Sequence, residues 1–169
     1  GRGDRAYQRG GLAPTPVFGR SGKAYPMLRY PWADTRAALL ALATDQPALD
    51  AVQLTYINPE TGADAQNILG YYALMLRPGQ TLRLPARSPA LVAHVIEGGA
   101  ELAVGDAAAG SDGSGGSDVQ RFALGEADTA CAPGYTPVTL RNTSATAPAF
   151  LFLADEAPLH RKLGVYETR

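Results

Sequence analysis

Apolar residues recur in short runs along most of this chain, and Gly or Pro closes nearly every run. Leu69–Leu76 is stopped by Pro78-Gly79, Thr81–Leu84 follows, Leu91–Glu97 ends at Gly98-Gly99, and Glu101–Val104 ends at Gly105-Asp106. β-rich runs at this spacing predict strands of an antiparallel sandwich or barrel. Further strands are predicted at Gln53–Ile57, Val119–Leu124, Asp128–Ala132, Thr136–Arg141 and Ala149–Ala154, with a Pro59 and Gly62 turn after the first of them. Strand alternation puts Val92, His94 and Ile96 on one face and Leu91, Ala93 and Val95 on the other.

Two stretches carry a helical pattern. Asp34 to Thr44 is rich in Ala and Leu, with Asp34 as the expected N-cap, Leu39, Leu42 and Ala43 as the buried face, and Pro47 ending the element. Pro158 opens a second short helix over LHRKLGVY, where His160 stands between Leu159 and the cations Arg161 and Lys162 and reads as a solvated surface histidine. Residues 1–33 form an expected extended arm, 34–50 a helical segment and 51–169 the β domain. Ala107–Asp118, AAAGSDGSGGSD, is of low complexity, cannot pack, and is expected to be a disordered insertion at the rim of the barrel. The tripeptide Arg2-Gly3-Asp4 reads as a chance match in a basic, Gly-rich arm.

Composition narrows the function classes. The chain has 169 residues, 46% hydrophobic and 18% charged, enough for one domain with a real core. A net charge of −1 gives no reason to expect nucleic acid or an acidic membrane as partner. No apolar run approaches the ~20 residues of a membrane helix, and the polar start is not a signal peptide. The first residue is Gly1 rather than Met, so a fragment of a longer protein or a processed one is expected. The lone Cys131 excludes an internal disulfide, fits a reducing, cytoplasmic compartment, and reads as a small buried thiol. The sequon Asn142-Thr143-Ser144 is discounted on the same ground. With only His94 and His160, a three-imidazole metal site cannot be assembled. Nucleophile-elbow, phosphate-loop and C-x-x-C motifs are absent from the sequence.

The segment VIEGGAELAVGD resembles the hairpin at the heart of cupin barrels. Metal-binding cupins carry a first motif of the form G-x5-H-x-H-x3-4-E-x6-G and a second ending in a histidine and an asparagine. Set onto Glu97-Gly98, the first motif's histidine positions fall at Pro85 and Arg87 and its glutamate position at Leu91; the second motif's histidine position falls at Val138, with Gly125, Pro133 and Asn142 in place. More of the chain resembles the second half of two-cupin ring-cleaving dioxygenases of the gentisate 1,2-dioxygenase family, which includes enzymes acting on salicylate and hydroxynaphthoate. The likeness rests on Gly10–Pro14, on Pro26–Trp32 with Asp34-Thr35-Arg36 and Ala38-Leu39, on Tyr56–Gly62, on Gly125, Asp128, Pro133 and Pro137-Val138, and on Leu163–Tyr166. Tyr135 stands where the family often has Trp, and the 107–118 insertion is extra.

That resemblance implies an all-β, cupin-type antiparallel barrel (a double-stranded β-helix or jelly roll). It implies Fe(II) in an upstream N-terminal cupin of the same polypeptide, cleavage of an aromatic hydroxy acid there, and a homo-oligomer. It implies no metal here, where Arg87, Leu91 and Val138 occupy former ligand positions, and a structural role for the segment. Leu91, Ala93 and Val95 would then point inward and His94 outward, to a sheet or subunit contact. Arg83 and Arg87 near the mouth stand either as solvated rim arginines or as bidentate contacts for a carboxylate. The alternative function is a stand-alone, non-catalytic cupin that binds a small aromatic carboxylate, with Arg87 as the anion anchor in place of a metal.

Overall fold

The structure is a computed structural model that describes residues 29–59, 62–105 and 119–169. The expectations for the arm before Arg29 and for the 107–118 insertion lie outside the described residues. Helix α1 (Trp32–Asp45) leads into strands β1 (Val52–Thr55), β2 (Gly70–Leu76), β3 (Thr81–Leu84), β4 (Leu91–Glu97), β5 (Ala100–Val104), β6 (Gln120–Leu124), β7 (Thr129–Ala132), β8 (Val138–Asn142) and β9 (Ala149–Asp155), and helix α2 (Ala157–Leu163) follows. The strands form a five-stranded sheet in the order β1-β2-β9-β4-β7 and a four-stranded sheet in the order β3-β8-β5-β6. Every pairing is antiparallel. Inward side chains of both sheets, among them Leu74, Leu151 and Val95 from one and Leu82, Leu102 and Leu140 from the other, make one buried cluster.

β3 and β4 have the limits that the alternation predicts, and the remaining strands shift by one or two residues at an end. The largest delay is at β8, which starts at Val138 rather than Thr136. Tyr135 holds a left-handed φ of 58° in the preceding turn, and Pro137 has no amide to give to a ladder. One expectation fails: β4 and β5 are not a hairpin. β4 pairs with β7 and β9, whereas β5 pairs with β6 and β8. Gly98, at φ 84°, turns the chain from one sheet to the other, and a Cβ there would stand 3.2 Å from the Pro148 carbonyl oxygen. The short Gly-Gly link therefore serves sheet-to-sheet passage rather than a paired turn.

Helix α1 begins two residues earlier than predicted, and Asp34 is not its cap. Pro31, extended at ψ 133°, stands at the N-cap, and no side chain caps the helix. Its carbonyl accepts the Thr35 amide at 3.2 Å. Asp34 sits in the first turn, where its charge favours the positive end of the helix dipole. Trp32 fixes the start by packing edge-on to Phe150, with centroids 5.6 Å apart, and by donating its indole N–H to Glu97 Oε1 at 2.8 Å. Arg36 Nε reaches the other oxygen of Glu97 at 2.9 Å, and these two donors hold that carboxyl below its ordinary range. Leu39 is fully buried, and Leu42 and Ala43 pack half-buried beside it, over Val52, Ala73, Met75 and Phe150 on the outer face of the five-stranded sheet. β2 is thus covered on both faces at Ala73–Leu76, which explains its unbroken apolar run. Helix α2 is shorter than predicted because Gly164 takes a left-handed φ of 71° and stops it at Leu163.

Asn142, only 1% exposed, ties the β2–β3 and β8–β9 connections to the end of β8. Its Nδ2 donates to the carbonyls of Leu76, Arg77 and Ala147 at 2.8–3.1 Å, and its Oδ1 accepts the Ser144 amide at 2.9 Å. That burial also takes the sequon out of reach of modification in the folded state. Asn142→Ala leaves buried carbonyls without donors, and it is expected to cost about 2–3 kcal/mol, read as a lower urea midpoint at unchanged slope.

Candidate functional site

Pro85, Arg87, Leu91 and Val138, the four positions where the cupin motifs place metal ligands, line one common cavity of about 10 Å³. Pro133 and Thr136 share it. They meet because β3 ends at Leu84, β4 begins at Leu91 and β8 begins at Val138 at the same end of the two sheets. Leu91 and Val138 are buried, at 5% and 4% exposure, and belong to the main core. The donor set does not fit Fe(II): it has no imidazole, thiolate or carboxylate, and its one charge is a guanidinium. Among the described residues no group of three or more His, Cys, Asp or Glu comes close enough to hold a metal ion.

Arg87 does meet a carboxylate, and it is the protein's own. Its Nη1 lies 3.2 Å from Asp155 Oδ2, and the Asp155 side chain is fully buried. Asp155 Oδ1 also accepts the Tyr72 hydroxyl at 3.2 Å and the Ala157 amide at 3.0 Å. Burial, together with the charge and hydrogen bond of Asp155, raises the Tyr72 phenol to about 12. Sequence reasoning missed both Asp155 and Tyr72. The available signal was a carboxylate closing an otherwise apolar run, Ala149–Asp155, immediately before a helix with Pro in its first turn.

Arg83 stands apart from Arg87. It alternates with buried Leu82 along β3, so it lies on the outer face of the four-stranded sheet, opposite Thr139 and in a surface groove with Glu101, Arg121 and Arg141. His94 takes the outward side expected of it and has its Nδ1 2.8 Å from Thr129 Oγ1. His160 departs from the solvated reading: it is half-buried, with its Nδ1 2.9 Å from Ser88 Oγ. Cys131 is exposed rather than buried. It lies opposite Val92 on the edge strand β7, and strand alternation sends its neighbour Ala132 inward in its place.

A second concavity of about 580 Å³ opens on the outer face of the five-stranded sheet beside the start of α1. Its walls are Tyr30, Trp32, Tyr56, Tyr71 and Phe152, with Arg29, Gln66, His94 and Ile96 around them. Tyr71 stacks on Phe152 at 5.8 Å and 24°, and Tyr56 leans on both Phe152 and Tyr30. The sequence pattern marks these rings only as scattered aromatics, because β2, β4 and β9 become neighbours through the sheet order alone.

Two outcomes test the buried cluster. Asp155→Ala strands the Arg87 guanidinium and is expected to cost about 3 kcal/mol in urea unfolding. The raised Tyr72 phenol stabilises the fold in full below pH ~10, where it is neutral folded and unfolded alike, and that share is lost as pH rises toward 12. The urea midpoint is therefore expected to fall more steeply between pH 10 and 12 in the parent chain than in Tyr72→Phe.

No protein-family model matches the chain. Sequence comparison finds a gentisate 1,2-dioxygenase of Ralstonia sp that is 64% identical over all 169 residues, which span 44% of that relative's length. A 5-aminosalicylate 1,2-dioxygenase of Comamonas sp is 26% identical over 146 residues, covering 84% of this chain and 35% of the relative. Among solved structures, salicylate 1,2-dioxygenase from Pseudoaminobacter salicylatoxidans superposes with a TM-score of 0.68 over 99% of this chain and 43% of its own, at 22% identity, a likeness of fold. The chain thus spans less than half the length of the relatives it matches, and over its whole length it is similar to a part of gentisate 1,2-dioxygenase.

Proposed function

We propose that this chain is the metal-free, C-terminal cupin of a gentisate 1,2-dioxygenase-like enzyme, with residues 51–169 as the cupin unit. The reading is supported by the convergence of Pro85, Arg87, Leu91 and Val138 on a nearly filled cavity with no donor for iron. In the parent enzyme, Fe(II) is held by the N-terminal cupin and supplies the site where a hydroxylated aromatic acid and O2 meet. This segment contributes structure: it packs against its twin cupin and takes part in a homo-oligomer of a cytoplasmic enzyme. The internal Arg87–Asp155 pair counts against the alternative reading, in which Arg87 anchors a ligand inside the barrel, because the guanidinium already has its carboxylate.

The test is metal binding and turnover by the isolated chain. Residues 1–169, loaded anaerobically with Fe(II) and desalted, are expected to retain no stoichiometric iron and to consume no O2 with gentisate. Co-expression with the remaining part of the Ralstonia relative is expected to restore both. One iron per isolated chain, or gentisate-dependent O2 uptake by it, overturns the proposal.

A further inference from the structure

We infer that the aromatic groove outside the five-stranded sheet is a binding site for a small aromatic carboxylate. The inference stands on the groove's own chemistry and does not depend on where the parent enzyme holds its iron.

The polar edges of the wall residues are already used by the fold. Tyr30 donates its hydroxyl to the Ile57 carbonyl at 2.6 Å, Tyr71 to Gln66 Oε1 at 3.0 Å, and Trp32 donates to Glu97 at 2.8 Å. Tyr56 reaches Thr35 Oγ1 at 3.4 Å. Each ring is thereby fixed in place and presents its face or edge to the groove, so a planar apolar ligand meets a wall that needs no reordering. A volume of about 580 Å³ accommodates one or two fused rings.

The charge at the rim chooses the ligand's head group. Arg29 lines the groove, and no carboxylate pairs with it among the described residues. His94 has Nδ1 engaged by Thr129, which leaves Nε2 for an occupant, and Gln66 keeps its amide N–H2 while its oxygen serves Tyr71. A cage of rings alone would also suit a quaternary ammonium. Here the carboxylate that touches the cage, Glu97, is held by Trp32 and Arg36, and the group left over is a cation. Charge complementarity therefore favours an anion on an aromatic ring.

Trp32 is the single tryptophan of the chain, so its fluorescence reports on this groove directly. Titration of the full chain with benzoate is expected to give saturable quenching, matched by calorimetry. Cyclohexanecarboxylate, which keeps the charge and loses the flat ring, is expected to bind about tenfold more weakly or worse. Arg29→Gln is expected to weaken benzoate by about tenfold, and Ile96→Glu, which sets a like charge beside the ligand, to abolish it. Arg83→Gln on the opposite sheet is expected to leave binding unchanged. Absence of saturable quenching in the parent chain overturns the inference, as does equal affinity in Arg29→Gln and Ile96→Glu. Preferential binding of tetramethylammonium overturns the choice of ligand. A dimer in sedimentation that Ile96→Glu dissociates, with no benzoate response, assigns the groove to a second copy of the chain and overturns it too.

Discussion

A single buried carboxylate, Asp155, is the constraint on which one end of this fold depends. A charge taken out of water must find partners or it destabilises the state that buries it. Asp155 finds three, each on a different segment: the hydroxyl of Tyr72 on β2, the guanidinium of Arg87 in the β3–β4 connection, and the first amide of α2. The carboxylate thus joins β9 and its neighbour β2 in the larger sheet to the β3–β4 connection. Next to Arg87, Ser88 extends the junction to the C-terminus: its hydroxyl meets His160 and the Glu167 amide, and its own amide donates to the Glu167 carbonyl at 2.9 Å. Arg169 donates to the Ala86 carbonyl at 2.8 Å, so the last residues run along the same loop.

This junction bears on function because it lies where cupin motifs place their metal ligands. Arg87 enters that region carrying a positive charge and leaves it neutralised by Asp155, while Leu91 and Val138 fill the remaining space with core packing. The fold keeps the strand framework of its relatives, and at this end the described residues leave a cavity of about 10 Å³ whose one guanidinium, Arg87, is paired with Asp155.

The outer face of the larger sheet has the opposite character. Helix α1 covers part of it, burying Leu39 over Ala73, Met75 and Phe150. The helix begins at Trp32, and beyond that point the sheet's outward side chains, Tyr71, His94, Ile96 and Phe152, have no helix over them among the described residues. The Trp32–Glu97–Arg36 contact that pins the helix to the end of β4 therefore also sets the boundary of the groove.

Local sequence determined most of the strands, both helices and the facing of His94, because alternation with period two and the Gly and Pro stops are properties of neighbouring residues. Motif spacing also singled out Pro85, Arg87, Leu91 and Val138, which the fold brings to one cavity although 53 residues separate the first from the last. Tertiary structure alone decided the rest. β4 pairs with β7 and β9 rather than with its sequence neighbour β5, and that choice depends on which faces can be buried together across the whole domain. Arg87 meets a carboxylate 68 residues away, Cys131 is exposed because it takes the outward position of an edge strand whose Ala132 faces the core, and His160 is drawn inward by a serine 72 residues before it. Each of these outcomes is fixed by contacts between distant segments, whose free energy of burial and hydrogen bonding no local pattern of apolar and polar residues encodes.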